Sequence, residues 1–125
     1  MGTFHVDVAI GDPEGSRYEP VEALVDTGST YTSVPRPVLE ALGVVPHSRA
    51  WFRLADGHHV ERELGYTRIK IGGSTAITIV VFADAESPIL QGAYALEGLL
   101  LAPDPVGRRI VPVPGLLMPL APALT

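Results

Sequence analysis

Residues 23–35 read "ALVDTGSTYTSVP": Ala23, Leu24 and Val25 are apolar, Asp26 follows at once, and Thr27-Gly28-Ser29-Thr30 comes directly after it. The segment "VEALV", residues 21–25, has the length and polarity of a buried strand, and that strand ends where the carboxylate stands. A carboxylate there must be solvated, paired or put to use. A small polar loop can hold it at a fixed place, with Gly28 allowing close approach of another backbone. The alternative is a strand-end turn in which Asp26 bonds nearby backbone amides.

Moving outward, "TFHVDVAI" at 3–10 alternates Phe4, Val6, Val8 and Ile10 with Thr3, His5, Asp7 and Ala9, the period of a half-buried strand. "GDPEG" then turns the chain. "PRPVLEALGV" predicts one short helix, with Pro35 near its start, Leu39 and Leu42 one turn apart, and Gly43 as its stop. In "WFRLADGHHVEREL", residues 51–64, Asp56-Gly57 signals a hairpin with a two-residue loop. That loop sets Leu54 against His59 and Phe52 against Glu61, so neither face is uniformly apolar and the hairpin projects into solvent. "YTRIKIGG" and "TAITIVVFA" follow as two more strands. "SPILQGAYALEGLLL" is a loop leading into a short helix, and "RRIVPV" is a last strand that Pro112 confines to an edge or a strand end.

The 125 residues suit one domain with a real core, and 13 glycines and 12 prolines punctuating short β-rich segments favour an all-β fold. No apolar run reaches the roughly 18 residues that suggest a membrane span. With no cysteine, disulfides, thiolate metal sites and cysteine nucleophiles are excluded. A net charge of −5 with nine scattered Lys and Arg residues argues against nucleic acid as a partner. "MGTFHVDVAI" lacks a basic segment followed by an apolar one, so the expected location is cytoplasmic. His58 and His59 are neighbours on a strand and point to opposite faces, and a zinc site needs three or four converging ligands, so no metal is expected.

The order of these segments resembles the retropepsin-like (retroviral-type) aspartic proteases, in particular their small single-domain prokaryotic relatives. The family runs from an amino-terminal hairpin to apolar-Asp-Thr-Gly-Ser/Thr, a flap hairpin, further strands, and an apolar-apolar-Gly loop before a short helix. Here these correspond to "ALVDTGST", "LADGHH", "ITIVVFA" and "ILQGAYALEG", and the match spans residues 3 to 113. The resemblance implies a closed or partly closed acid-protease barrel with one or two short helices. It makes residues 1–113 the protease domain and 114–125 an apolar, proline-rich tail.

Carried over by position, the resemblance makes Asp26 the catalytic carboxylate, with Thr27 bonding across a symmetric loop pair and Ser29 supporting the outer carboxylate oxygen. Gly28 lets substrate backbone pass, and Gly92 closes the second loop. Ala55, Asp56, Gly57 and His58 form the flap over a peptide or protein substrate. Gln91 and Tyr94 depart from the pattern: Gln91 stands where a second apolar residue is usual, and a buried glutamine must find partners.

Hydrolysing a peptide with carboxylates alone takes one ionised to activate water and one protonated to polarise the carbonyl. The chain carries one Asp-Thr-Gly motif, so a two-fold homodimer is the economical way to bring two together. No cofactor is implied. A second reading is a catalytically weak or idle module that uses the fold for dimerisation or peptide binding. In the tail, Ile110 to Val113 should pair at an edge, and Leu116 to Leu120 should cover apolar surface of the same or the partner subunit.

Overall fold

The computed structural model describes residues 3–117. Strand β1 (Phe4–Gly11) pairs antiparallel with β2 (Tyr18–Val25), with Phe4 opposite Val25 and Gly11 opposite Tyr18. The expected alternation holds: Phe4, Val8 and Ile10 are buried and Val6 half-buried, while His5 and Asp7 face water. β3 (Thr32–Pro35) leads into α1 (Arg36–Ala41), where Pro35 is the N-cap and Leu39 is buried. Beyond it come β4 (Ser48–Arg53), β5 (His59–Ile71), β6 (Ser74–Ala83), β7 (Leu90–Gln91), α2 (Ala93–Gly98), β8 (Leu101–Asp104) and β9 (Arg109–Pro112).

The main sheet runs β1-β2-β7-β3-β6-β5-β4, and β1 also pairs with β5 through Ala9–Lys70 and Ile10–Ile69. That extra pairing closes six of the strands into a ring, leaving β4 outside it on the far half of β5. Closure removes exposed edges and gives one interior, filled by Ile10, Val25, Val34, Ile69, Val80 and Phe82. The all-β expectation with two short helices is met.

Three readings change. First, β4 and β5 pair with Phe52 opposite Val60 and Arg53 opposite His59, one residue away from the expected register. The Leu54 N–H donates to the His58 carbonyl (2.7 Å) and the Gly57 N–H to the Leu54 carbonyl (2.9 Å), so the loop holds three residues, Ala55 to Gly57. Gly57, at φ +92°, takes the left-handed place that a three-residue loop of this kind requires. The shift sets Phe52 against Val60 and gives the hairpin an apolar face after all. Second, "HVEREL" and "YTRIKI" are one strand of 13 residues, continuous through Gly65, which packs beside Phe82 and Val44. Third, β8 was not foreseen, because Pro103 and Pro105 signal a break. It pairs with β9 alone, where a missing amide donor can face outward.

Ile110 to Pro112 do pair at an edge, as expected, and the Val113 N–H donates to the Leu100 carbonyl at 2.9 Å. Leu116 and Leu117, by contrast, are 81% and 93% exposed and cover nothing on their own chain. Met118 and Leu120 lie outside the described residues.

Candidate active site

β2 ends at Val25, and Asp26 begins the loop that carries the chain to β3. The Gly28 N–H donates to Asp26 Oδ1 at 3.0 Å, and the Ser29 N–H donates to the Asp26 carbonyl at 3.0 Å. The loop thus winds around its own carboxylate. Asp26 is half-buried between buried Val25 and exposed Thr27 and Gly28. Ser29 is tied to Asp26 through the main chain rather than by its hydroxyl, and Thr27 faces outward from the single chain.

The loop does not stand alone. β7 threads between β2 and β3, parallel to the first through Leu24–Leu90 and Val25–Gln91 and antiparallel to the second through Ser33–Leu90. The chain leaving β7 then crosses the Asp26 loop. The Asp26 N–H donates to the Gln91 carbonyl (3.2 Å), the Ala93 N–H to the Ser29 carbonyl (2.9 Å), and the Tyr94 N–H to the Thr30 carbonyl (2.9 Å). At the crossing point only glycine fits: a Cβ on Gly92 would lie 2.4 Å from the Tyr31 carbonyl carbon and 2.5 Å from its oxygen. These bonds fix the position of the Asp26 backbone from both sides.

Gln91 is fully buried and does find partners: its Nε2 donates to Thr32 Oγ1 (3.1 Å) and to the Gly92 carbonyl (3.3 Å). The Gly92 N–H donates to the same hydroxyl oxygen (3.3 Å), while Gln91 Oε1 has no protein partner. Gln91 therefore bridges the two loops with an amide in place of apolar packing. Tyr94 packs its ring edge-on to Tyr31 at 5.7 Å, and Tyr31 meets Phe52 of β4 at 6.2 Å, so an aromatic relay joins α2, the Asp26 loop and the hairpin.

A cleft of about 670 Å³ opens beside the loop, lined by Gly28 to Tyr31 and Ser33 on the floor. Residues 50–54 with Val60 and Arg62 form the hairpin side, and Val81, Asp84, Ser87, Pro88 and Leu90 form the far wall. A profile of the aspartyl protease family matches residues 6–100, which takes in the loop, the hairpin and the crossing. The chain belongs to that aspartyl protease family. Among solved structures, 31 chains match. One is the solution structure of Simian Foamy Virus (mac) protease, at TM-score 0.53 and 21% identity, covering 74% of this chain and 90% of that one. No curated protein matches. The fold is thus that of a retropepsin-like aspartic protease.

Within this aspartyl protease fold, Asp26, Thr27, Gly28, Ser29 and Gly92 come together as one loop pair. Ala55, Asp56, Gly57 and His58 sit at the hairpin tip, beyond the residues that line the cleft of the single chain. Asp56 orders that tip: its Oδ1 accepts from the His58 N–H (3.0 Å) and its Oδ2 lies 2.9 Å from His58 Nδ1. The bond from the His58 amide, and then its ring, hold the Asp56 carboxyl below the usual carboxylate range. The hairpin base is fixed on its outer face, where Arg36 of α1 bonds Glu63 and stacks over Phe82 at 4.8 Å. Arg49 lies 3.3 Å from Glu61 and 3.6 Å from Glu63 on the same face. The cleft walls were not foreseen from the sequence: Tyr31, Ser33, Phe52 and Val81 carry no motif, and the signal that could have found Phe52, its pairing with Val60, was hidden by the register.

Proposed function

We propose that the chain is an aspartic endopeptidase whose site is completed by two copies of Asp26, one from each subunit of a homodimer. The observation that carries this reading is the loop crossing. A carboxylate stands at a strand end, bonded by the amide of Gly28, its backbone tied to the β7 crossing, and the loop that carries it runs on through Gly28 to Tyr31 into the floor of the cleft. The Gln91 Nε2 bonds to Thr32 and Gly92 and the Tyr31–Tyr94 contact, which tie the two loops together, favour the catalytic reading over the idle module.

In the dimer, the two carboxylates share one proton, since two charges at about 3 Å cannot both persist readily. The ionised Asp26 takes a proton from water as the water oxygen attacks the scissile carbonyl carbon. The protonated one donates to the carbonyl oxygen, giving a neutral tetrahedral diol. Return of a proton to the amide nitrogen then lets the C–N bond break, releasing an acid and an amine. Thr27, exposed on the single chain, reaches across to the partner loop, and the β4–β5 hairpin closes as a flap over the substrate. Residues 1–113 form the protease unit and 114–125 the tail.

The test is turnover of a mixed peptide library by the native chain and by Asp26→Asn. Cleavage should vanish in the variant while fold and dimer persist, and specific activity should fall on dilution through the dimer's dissociation constant. Full turnover by Asp26→Asn, or a flat specific activity well below that constant, overturns the reading.

A further inference from the structure

The corrected hairpin register gives the cleft one charged residue in an otherwise apolar row. Ala50 and Phe52 of β4 and Val60 and Arg62 of β5 share one face, because Ala50 lies opposite Arg62 and Phe52 opposite Val60. All four line the cleft, with Val81, Ala83 and Leu90 across from them. The neighbours Glu61 and Glu63 belong to the opposite face, where Arg49 and Arg36 meet them.

The Arg62 side chain is 34% exposed, and its ion pair is slack: Nη2 lies 3.7 Å from Asp84 Oδ2, beyond hydrogen-bond reach, on a carboxylate that is itself 80% exposed. Nη1 donates to the Glu61 carbonyl at 3.1 Å, which steadies the guanidinium without neutralising it. Ala50, the residue facing Arg62, is small and leaves room at this point of the wall. The charged lining of the whole cleft is Arg53, Arg62 and Asp84, two cations to one anion. A guanidinium kept on an apolar wall with a distant partner has bidentate donors to offer a carboxylate that enters beside it.

We infer that Arg62 forms a subsite for an acidic side chain, so that the preferred substrates are extended peptides carrying Glu or Asp at one defined position. The inference rests on the peptidase reading for its biological meaning, but it is testable on binding alone. The probes are dye-labelled apolar octapeptides in which Glu or Gln is scanned through each position, bound to the full chain carrying Asp26→Asn and read by fluorescence polarisation.

At one scan position Glu should bind roughly threefold to fivefold tighter than Gln, the upper part of the range for a partly exposed charge pair. The ratio should fall close to unity in Arg62→Gln and below unity in Arg62→Glu, where two carboxylates would meet. Asp84→Asn, which removes the competing carboxylate and leaves Arg62 in place, should raise the ratio, and added salt should lower it in the unaltered cleft. These two readouts stand even if the Arg62 variants fail to fold.

Peptide binding with no acidic preference, or a preference unchanged in Arg62→Gln, overturns the subsite and leaves the peptidase reading intact. A Glu preference that depends on Arg62 in a chain whose native form cleaves nothing supports the subsite and sinks catalysis. Absence of binding by every peptide overturns both.

Discussion

Gly92→Ala is the sharpest perturbation of the loop crossing, because the added methyl would meet main chain rather than a movable side chain. Its Cβ would lie 2.4 Å and 2.5 Å from the Tyr31 carbonyl carbon and oxygen and 2.9 Å from the Thr30 oxygen. The two loop segments must part. Overpacking of this kind costs about 1–3 kcal/mol. Separation also weakens the Ala93 N–H to Ser29 and Tyr94 N–H to Thr30 bonds, which run through the same contact, each contributing about 0.5–1.5 kcal/mol net. The sum is about 2–6 kcal/mol, a large share of the roughly 5–15 kcal/mol that holds a domain together. At this chain length about 3–5 °C of melting temperature is lost per kcal/mol, so circular dichroism melting should show a fall of at least about 6 °C. Gly73→Ala is the control: no atom lies within 4 Å of its added methyl, and it should stay within about 0.5 kcal/mol of the native chain. A Gly92→Ala protein melting within about 2 °C of the native one would refute the claim that this crossing is rigid.

Thr27→Val should weaken the dimer and lower activity by about 1–3 kcal/mol for the lost hydroxyl partner, with Thr27→Ser much milder; equal damage from both in sedimentation and turnover assays would assign the effect to the methyl instead. For Asp56, the folded carboxyl titrates below its unfolded value of 3.8. Its ordering of the hairpin tip is therefore fully present above that pH and lost only as the pH falls through the lower folded value. NMR of the His58 amide should show the bond intact at pH 4.5, and loss of that bond between pH 6 and 4.5 would contradict the assignment.

The sequence disclosed the two crossing loops better than it disclosed the hairpin beside them. The Asp26 loop was legible because an apolar strand runs straight into Asp-Thr-Gly-Ser, and Gly92 because the resemblance places a glycine loop before the second helix, although Gln91 stands in its second apolar place. The β4–β5 register was not legible. Asp56-Gly57 fits a two-residue loop as well as a three-residue one, and the choice rests on the Leu54 amide reaching the His58 carbonyl, a bond no residue type announces. One residue of shift exchanges the two faces of the whole hairpin, which is why Phe52, Val60 and Arg62 were missed together. β8 was hidden for a different reason: prolines depress the expectation of a strand, and a two-stranded ribbon with outward-facing donors tolerates them.

The geometry of the single chain also bears on why the proposed site needs two copies. Asp26 is half-buried, its flanking Thr27 and Gly28 are exposed, and among the described residues its carboxylate accepts one hydrogen bond, from the Gly28 amide. A carboxylate with that single protein partner leaves its second oxygen to water or to another chain. Electrostatic catalysis grows in a site that excludes bulk water and meets developing charge with groups already in place. On one chain the crossing fixes the backbone of Asp26 but supplies neither the cover nor the second acid. A partner loop placed against Thr27 and Gly28 would supply both at once, since the same face that is bare in the monomer carries the motif. The exposed Leu116 and Leu117 point the same way, because side chains 81% and 93% open on one chain are costly in water and become useful when a second subunit covers them. Truncation after Pro114 should therefore weaken association in sedimentation assays while leaving the melting of the isolated barrel nearly unchanged. A truncated chain that dimerises as tightly as the full one would separate the tail from the interface and leave the Asp26 loops to hold the subunits together.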